Sequence, residues 1–392
     1  MRSIVILSLA NLDIQNDSRV LRQVKYLSRE YPVEIISYGS DKPLPYPVKS
    51  LSIVGSLSKG KQGRMIKTIL LLTLGRFWPE RFYETWYWSR PGHREALDLL
   101  KKMDFCIVHA NDWWTLPLAV RGVKGSNAKI ILDLHEYALD ELNDVLWWRV
   151  LYKPLVKFFF QKYLPEVNAS ITVNSVIAQR YASEFGLSPV VVMNAPDLCT
   201  EAGFRATDPQ NIRLISHGLA GPNRHQDLLI EALAYADNRY SLTFMLFGNE
   251  RYIQYLKKLA NEKAPGRVFF IPSVPPSEVI GQINNFDMGV YLLKSSYYNN
   301  MVALPNKFFE FISAGLAVCI GPSPAMAQVI REFEAGKVSE TFNPQDFGVM
   351  LSSLSSDDID KMKRNSIRAR ENLNADVEMK KLLDLYQTLV EA

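Results

Sequence analysis

Two hydrophobic periods alternate along the chain: short continuous apolar runs, and longer stretches in which apolar residues recur every three or four positions. In the first half the short runs predict strands over residues 3–7, 33–37, 105–109, 129–134, 170–173 and 190–193. The longer period predicts helices over 19–30, 94–102, 116–121, 146–164 and 176–185. Strand and helix in alternation imply a mostly parallel sheet covered on both faces. Residues 196–211 are polar, include two prolines and hold no predicted strand, which marks a linker. A second alternation follows, with strands over 212–216, 242–247, 268–271, 288–292 and 317–320 and helices over 226–236, 253–261, 276–283, 305–314 and 325–331. An amphipathic stretch over 377–390 either closes the second domain or crosses to the first. The expected fold class is α/β: two doubly wound, Rossmann-like domains over 1–195 and 212–376, then a terminal segment over 377–392. Such sheets bind ligands beyond the carboxyl ends of their strands, so the two domains are expected to face each other across a cleft.

Composition narrows the class without choosing a chemistry. With 392 residues, 47% hydrophobic and 22% charged, the chain can bury two cores and is too apolar for disorder. Cys106, Cys199 and Cys319 are odd in number and far apart, so they suggest neither a disulfide framework nor a zinc site, and a reducing compartment fits. The first strand begins without a basic and apolar leader, and no apolar run reaches the roughly 18 residues of a membrane span. A cytoplasmic location is expected. The net charge of +4 is unevenly placed: residues 42–79 hold seven cations, Lys42, Lys49, Lys59, Lys61, Arg64, Lys67 and Arg76, and no acid. The remainder is slightly acidic, so the basic segment calls for an anionic neighbour and no nucleic-acid partner is expected.

The candidate chemistry concentrates in residues 303–316. Pro305 suits the first turn of a helix, Gly315 its left-handed exit, and Phe308, Phe309, Ile312 and Leu316 its apolar stripe. The polar face carries Asn306, Lys307, Glu310 and Ser313. A helix N-terminus and a lysine attract phosphate, and a carboxylate one turn further in can accept two hydrogen bonds from a ribose diol. The competing reading is a surface Lys307–Glu310 pair.

This segment resembles the donor-binding helix of the retaining glycosyltransferases of family 4, written around Pro-Asn-Lys-x-x-Glu. Residues 104–113, 132–136, 218–232 and 286–290 also resemble that family, in its order along the chain. The resemblance implies the GT-B architecture, a nucleoside diphosphate sugar bound by the C-terminal half, transfer to a hydroxyl acceptor with retention, and neither metal nor cofactor. Two departures stand out: Val302 where the family usually has a first acid, and Leu219 where it often has a second cation.

After the strand over 212–216 come Gly218 and Gly221, which permit close backbone approach, and then Arg224, which can hold a diphosphate bidentately. A glycine turn with a solvated arginine is the alternative. The resemblance assigns the leaving diphosphate to Arg224 and Lys307, the ribose to Glu310, and Gly218, Pro305 and Asn306 to the donor site. In the first half, His135 and Glu136 follow a strand, and the resemblance sets His135 against the transferred sugar, where an imidazole can stabilise developing charge. His109 and Asp112 end another strand, and Asp112 has the alternative of capping the next helix. Asp17 is read either as a helix cap or, with Arg19, as part of a loop facing the acceptor. Asp17, Arg19, His109, Asp112 and Glu136 thus make up the expected acceptor side.

The acceptor expected from the resemblance is a glycan or lipid-linked glycan of surface polysaccharide assembly. Aromatic and basic residues interleave over 64–94 and again over 146–164, the composition of a membrane interface, with aromatic packing as the alternative. An anionic membrane surface is therefore a further expected partner. The rival functions are a GT-B sugar-nucleotide epimerase or hydrolase, and a non-catalytic GT-B subunit that binds glycan. Gly-x-Ser-x-Gly, His-Glu-x-x-His and a Walker loop are all absent.

Overall fold

The computed structural model describes residues 3–9, 14–39, 43–54, 61–295 and 297–391. The chain divides into two compact units, Met1–Met193 with Met379–Ala392, and Asn194–Glu378. Residues 192–211 carry neither helix nor strand.

The first unit holds β1 (Ser3–Ser8), β2 (Val33–Ser37), β3 (Ser50–Ile53), β4 (Phe105–Asn111), β5 (Lys129–Leu134), β6 (Ala169–Thr172) and β7 (Val190–Val191). Its sheet runs β3-β2-β1-β4-β5-β6-β7, with every pair parallel. The second unit holds β8 (Ile212–Ala220), β9 (Tyr240–Gly248), β10 (Val268–Ile271), β11 (Met288–Tyr291), β12 (Ala317–Ile320) and β13 (Gly336–Val338). Its order is β10-β9-β8-β11-β12-β13, again parallel throughout. Both sheets therefore reverse direction beside their first strand, between β1 and β4 and between β8 and β11, which opens a crevice for ligands at the carboxyl ends. Strands β1, β2, β11 and β12 are buried along their whole length, as parallel strands covered on both faces must be.

Local chemistry sets the helix ends. Asp17, Asn174, Asn249 and Asn343 each accept backbone N–H groups as N-caps, and Ser355 with Asp358 forms a capping box. The helix expected over 146–164 is instead three pieces: a π-helical turn Trp148–Tyr152, an α-helix Lys153–Tyr163 and a 3-10 turn Leu164–Glu166. Pro154 has no N–H to carry the α ladder back into the preceding turn, and Lys153 bonds to the Trp148 carbonyl in its place.

Several elements go beyond the sequence reading. Helices Lys61–Gly75 and Pro79–Trp88 occupy the basic aromatic stretch. Tyr83, Trp86, Tyr87 and Trp88 are buried, so this part of the stretch is aromatic core. Of its cations, Lys42 and Lys59 lie outside the described residues, as do the side chains of Lys61 and Arg64. Strand β8 continues four residues past its expected end, so the glycine at 218 sits in a strand rather than a turn. The amphipathic stretch at the C-terminus is the helix Ala375–Glu391, and Tyr386 on it is fully buried in the first unit. Among the described residues no helix is long and apolar enough to cross a membrane.

Candidate functional site

In the second unit the residues singled out by sequence gather at the β8/β11 switch point. Gly289 on β11 explains how the helix Asn306–Ser313 gets so close: a Cβ there would lie 2.2 Å from Phe311, so only glycine admits that ring. Phe311 in turn stands edge-on to the His217 ring, 5.2 Å away. The helix starts at Asn306, with Pro305 as an extended N-cap residue that supplies no side-chain acceptor. Pro305 thus lies one position outside the helix, not in its first turn. The first amides keep their pull on an anion. Asn306 is exposed, and its Oδ1 accepts from Asn194 Nδ2 at 2.9 Å.

The surface pair expected as an alternative for Lys307 and Glu310 does not form among the described residues. Lys307 Nζ lies 4.9 Å from the centre of the Tyr291 ring, and a Cβ on Gly218 would sit 3.4 Å from that amine. Gly218 has φ +109°, so it is glycine on conformational grounds. Burial, then the Arg224 guanidinium, depress the Lys307 ammonium to about 8 against a weaker opposing pull from Glu310. Arg224 closes a 3-10 turn, Pro222–Arg224, and its charge opposes the rise that burial imposes on the Tyr291 hydroxyl. Neither cation has a carboxylate within ion-pair distance among the described residues. Glu310 places Oε2 3.4 Å from Nε2 of His217, whose own pKa is pushed down to about 3 by burial and by Lys307. His217 is therefore a neutral imidazole at physiological pH.

The first unit is arranged the opposite way. Asp133, fully buried near the end of β5, receives Arg19 bidentately at 2.7 and 2.8 Å, the Gln23 amide, and His135 Nε2 at 3.2 Å. Burial alone would raise its carboxyl, but Arg19 and the imidazoles hold it well below the usual carboxylate range. Arg19 gives its last nitrogen to the Val192 carbonyl at 2.8 Å. His109 is fully buried, bonded through Nδ1 to Tyr386 Oη at 2.7 Å, with Nε2 3.7 Å from Asp133. Arg19 and His109 were expected on the acceptor side; both are buried structural partners of Asp133 and offer an acceptor no surface.

His135, by contrast, keeps a fifth of its side chain exposed. Burial opposes its charge, yet Asp112 at 3.4 Å from Nδ1 and Asp133 together raise its pKa to about 9. It is an imidazolium at neutral pH. Asp112 does not cap the helix Leu116–Val123, whose cap residue is Thr115; it adopts φ 60° and accepts the His135 backbone N–H at 3.3 Å. Asp17 is the cap of the helix Ser18–Glu30, its Oδ1 accepting from Arg19 N and Val20 N at 3.1 Å. Glu136 is exposed beside this group. Glu141, which the sequence reading passed over, has its carboxyl raised to about 7 by burial while accepting from Trp113 Nε1 at 3.0 Å. Asp133, His217, Tyr291 and Tyr386 were missed as well. An Asp inside the run Ile130-Ile131-Leu132-Asp133-Leu134 and a His directly before Gly218 were the available signals. No cluster of three or more His, Cys, Asp or Glu groups suited to a metal occurs among the described residues.

A model described as Glycosyltransferase Family 4 matches residues 18–198, and one described as Glycosyl transferases group 1 matches residues 204–372. No curated protein matches the chain. Among solved structures, HepE of Anabaena in complex with UDP is 11% identical, with 98% of this chain and 100% of that one covered at a TM-score of 0.69. A glycosyltransferase from Rickettsia africae is 14% identical over 100% and 99% of the two chains, TM-score 0.66. Sucrose-phosphate synthase from Thermosynechococcus elongatus is 10% identical over 100% of both, TM-score 0.67. At such identities the likeness to these structures is one of fold. With a glycosyltransferase domain matched in each unit and two parallel Rossmann-like sheets in series, the chain belongs to the GT-B glycosyltransferases.

Proposed function

We propose that the chain transfers a glycosyl unit from a nucleoside diphosphate sugar to a hydroxyl of a glycan or lipid-linked glycan in surface polysaccharide assembly, with retention and without a metal. The observation that carries this reading is a pair of cations with no carboxylate beside them: Lys307 and Arg224, at the sheet switch point and the start of a helix. A diphosphate supplies the missing anion. Charge on it grows as the glycosidic bond breaks, so fixed cations favour the transition state over the ground state without a metal's help. Glu310 holds the ribose diol. His135, already an imidazolium, sets its positive charge against the transferred sugar as the family resemblance implies, and Asp112 orients its ring. Uridine diphosphate sugars are the first donors to test, because HepE was solved with UDP.

The test is a panel of nucleoside diphosphates and their sugars scored by thermal stabilisation, followed by a radiolabelled transfer assay with the donor that binds. A ligand at 100 times its dissociation constant adds about 2.7 kcal/mol. Glu310→Ala is expected to abolish the shift for diphosphate and intact donor alike while leaving the unliganded melting temperature in place. A wild-type chain stabilised by no nucleotide overturns the reading. Turnover separates transfer from hydrolysis, epimerisation or simple binding, and NMR of the product's anomeric proton reads retention.

A further inference from the structure

The helix Lys61–Gly75 is apolar on two sides. Leu71 and Leu72 are buried in the first unit, and a Cβ on Gly75 would lie 2.1 Å from Tyr83, so this side is fixed against the core. The opposite side presents Ile66, Ile69 and Leu70 to solvent, 69%, 47% and 56% exposed, and Phe77 and Trp78 continue it just beyond the helix. The π-helical turn Trp148–Tyr152 packs beside this helix, and around it Leu146, Trp147 and Val150 are exposed too. Contiguous apolar surface of this kind on a folded chain marks an interaction site.

Beneath it lies a cavity of about 560 Å³ lined mainly by apolar atoms, among them Met65, Ile69, Trp86, Trp147 and Leu151. The charged residues that line it are Lys67, exposed, and Arg90, half-buried. The guanidinium is held 5.0 Å from the Trp86 ring and 4.9 Å from the Trp114 ring, and its Nε is buried with no hydrogen-bond partner. Among the described residues Arg90, Lys67, Arg76 and Arg149 make no ion pair. An apolar surface rimmed by uncompensated cations, over a cavity with a single unpartnered guanidinium, fits an amphiphile with an anionic phosphate head and an apolar tail.

We propose that this face of the first unit docks on an anionic lipid bilayer, with Ile66, Ile69, Leu70, Phe77, Trp78 and Trp147 entering the headgroup region and the Arg90 cavity receiving one phospholipid. Aromatic and aliphatic side chains flanked by Lys and Arg hold an interfacial helix by apolar burial together with attraction to anionic heads. Resting on the function proposed above, this makes the acceptor lipid-linked and transfer a reaction at the membrane surface.

Flotation of the whole chain with vesicles of equal parts phosphatidylcholine and phosphatidylglycerol tests it, with pure phosphatidylcholine as the comparison. The chain is expected to float with anionic vesicles at low salt and far less with neutral ones. Ile66→Glu with Leu70→Glu, both solvent-facing and so compatible with folding, is expected to lower the partition coefficient by about tenfold or more. Arg90→Gln is expected to lower it about fivefold. Quenching of tryptophan emission by brominated lipid, lost when Trp78→Phe and Trp147→Phe are combined, locates the face independently. No retention by anionic vesicles, or retention unchanged in the double variant, overturns the proposal. Sedimentation velocity covers the remaining occupant: a dimer that the double variant makes monomeric, in a chain that vesicles do not retain, assigns the face to a second copy. Nucleotide stabilisation measured on the same variants keeps the two readings apart, since the donor residues lie in the second unit and are untouched.

Discussion

The two polar clusters occupy equivalent places, at the carboxyl ends of sheets with the same strand order, yet they balance charge in opposite ways. Around Asp133 the fold supplies its own counterions: a buried carboxylate takes Arg19, Gln23 and His135, and little is left for a ligand except the exposed edge of His135. Around Lys307 the fold withholds them, leaving two cations near one another with a neutral imidazole and a single acid one helical turn away. The first arrangement stabilises the protein and fixes one side chain. The second costs stability and is repaid on binding an anion, the usual signature of a binding site. A parallel sheet therefore does not dictate which of its ends is reactive; the counterion balance does.

The sharpest way to break this contrast is to remove one member from each cluster. Asp133→Ala strands Arg19 as a buried, unpaired charge, and losing one partner of a buried pair typically destabilises by about 3–5 kcal/mol. Urea denaturation is expected to show the first unit losing most of its stability. A loss within experimental error would mean that Asp133 is not the organising group. Lys307→Met is the mirror experiment. It relieves repulsion with Arg224, so stability is expected to hold or rise, while the rate of glycosyl transfer falls by about 10²–10³, the cost of deleting one transition-state donor. If the Michaelis constant alone changes, Lys307 holds the ground state and the leaving-group role belongs elsewhere.

How much of this contrast is visible in the chain's letters depends on distance along it. Lys307 and Glu310 share one short helix and Gly315 follows its end, so their spacing announces a polar face and an exit; His135 sits directly after a strand and Arg224 a few residues after one. Asp133 is inconspicuous because its partners come from residues 19, 23 and 109, brought together only by the β1–β4–β5 pairing. The helix Lys61–Gly75 escaped because a helix apolar on two faces has no single stripe to count. The helix Ser356–Ala369 carried its signal in Ser355 and Asp358, a capping box that precedes it in plain sequence.

Alkaline pH sharpens the comparison, because the two clusters respond to it with opposite sign. His135 is raised in the fold from 6.5 to about 9, so its contribution is complete below 6.5 and is lost as pH climbs through about 9. Lys307 is lowered from 10.5 to about 8; between those values the unfolded chain binds a proton that the fold does not, and stability rises with pH. Each slope reaches at most about 1.4 kcal/mol per pH unit. Melting temperatures from pH 6 to 10 are expected to lose the fall in His135→Asn and the rise in Lys307→Met. Parallel curves for wild type and either variant would remove that residue from the account.

The smallest expected effect decides whether the first unit presents anything at the β1 loop besides structure. Asp17 accepts two backbone N–H groups at the start of the helix that carries Arg19 and Gln23, so it positions the Asp133 cluster from outside. Replacing an N-cap aspartate with alanine costs about 1 kcal/mol, and serine restores most of that because its hydroxyl accepts the same bonds. If capping is all Asp17 does, Asp17→Ala lowers stability by that amount, Asp17→Ser does not, and transfer measured at a temperature where both remain folded is the same in the two. An acceptor contact gives another pattern: the Michaelis constant for acceptor rises in both variants, because a serine hydroxyl replaces the cap but not the charge. Steady-state kinetics with acceptor varied at saturating donor therefore separates a loop that only holds the helix from one that also meets the substrate.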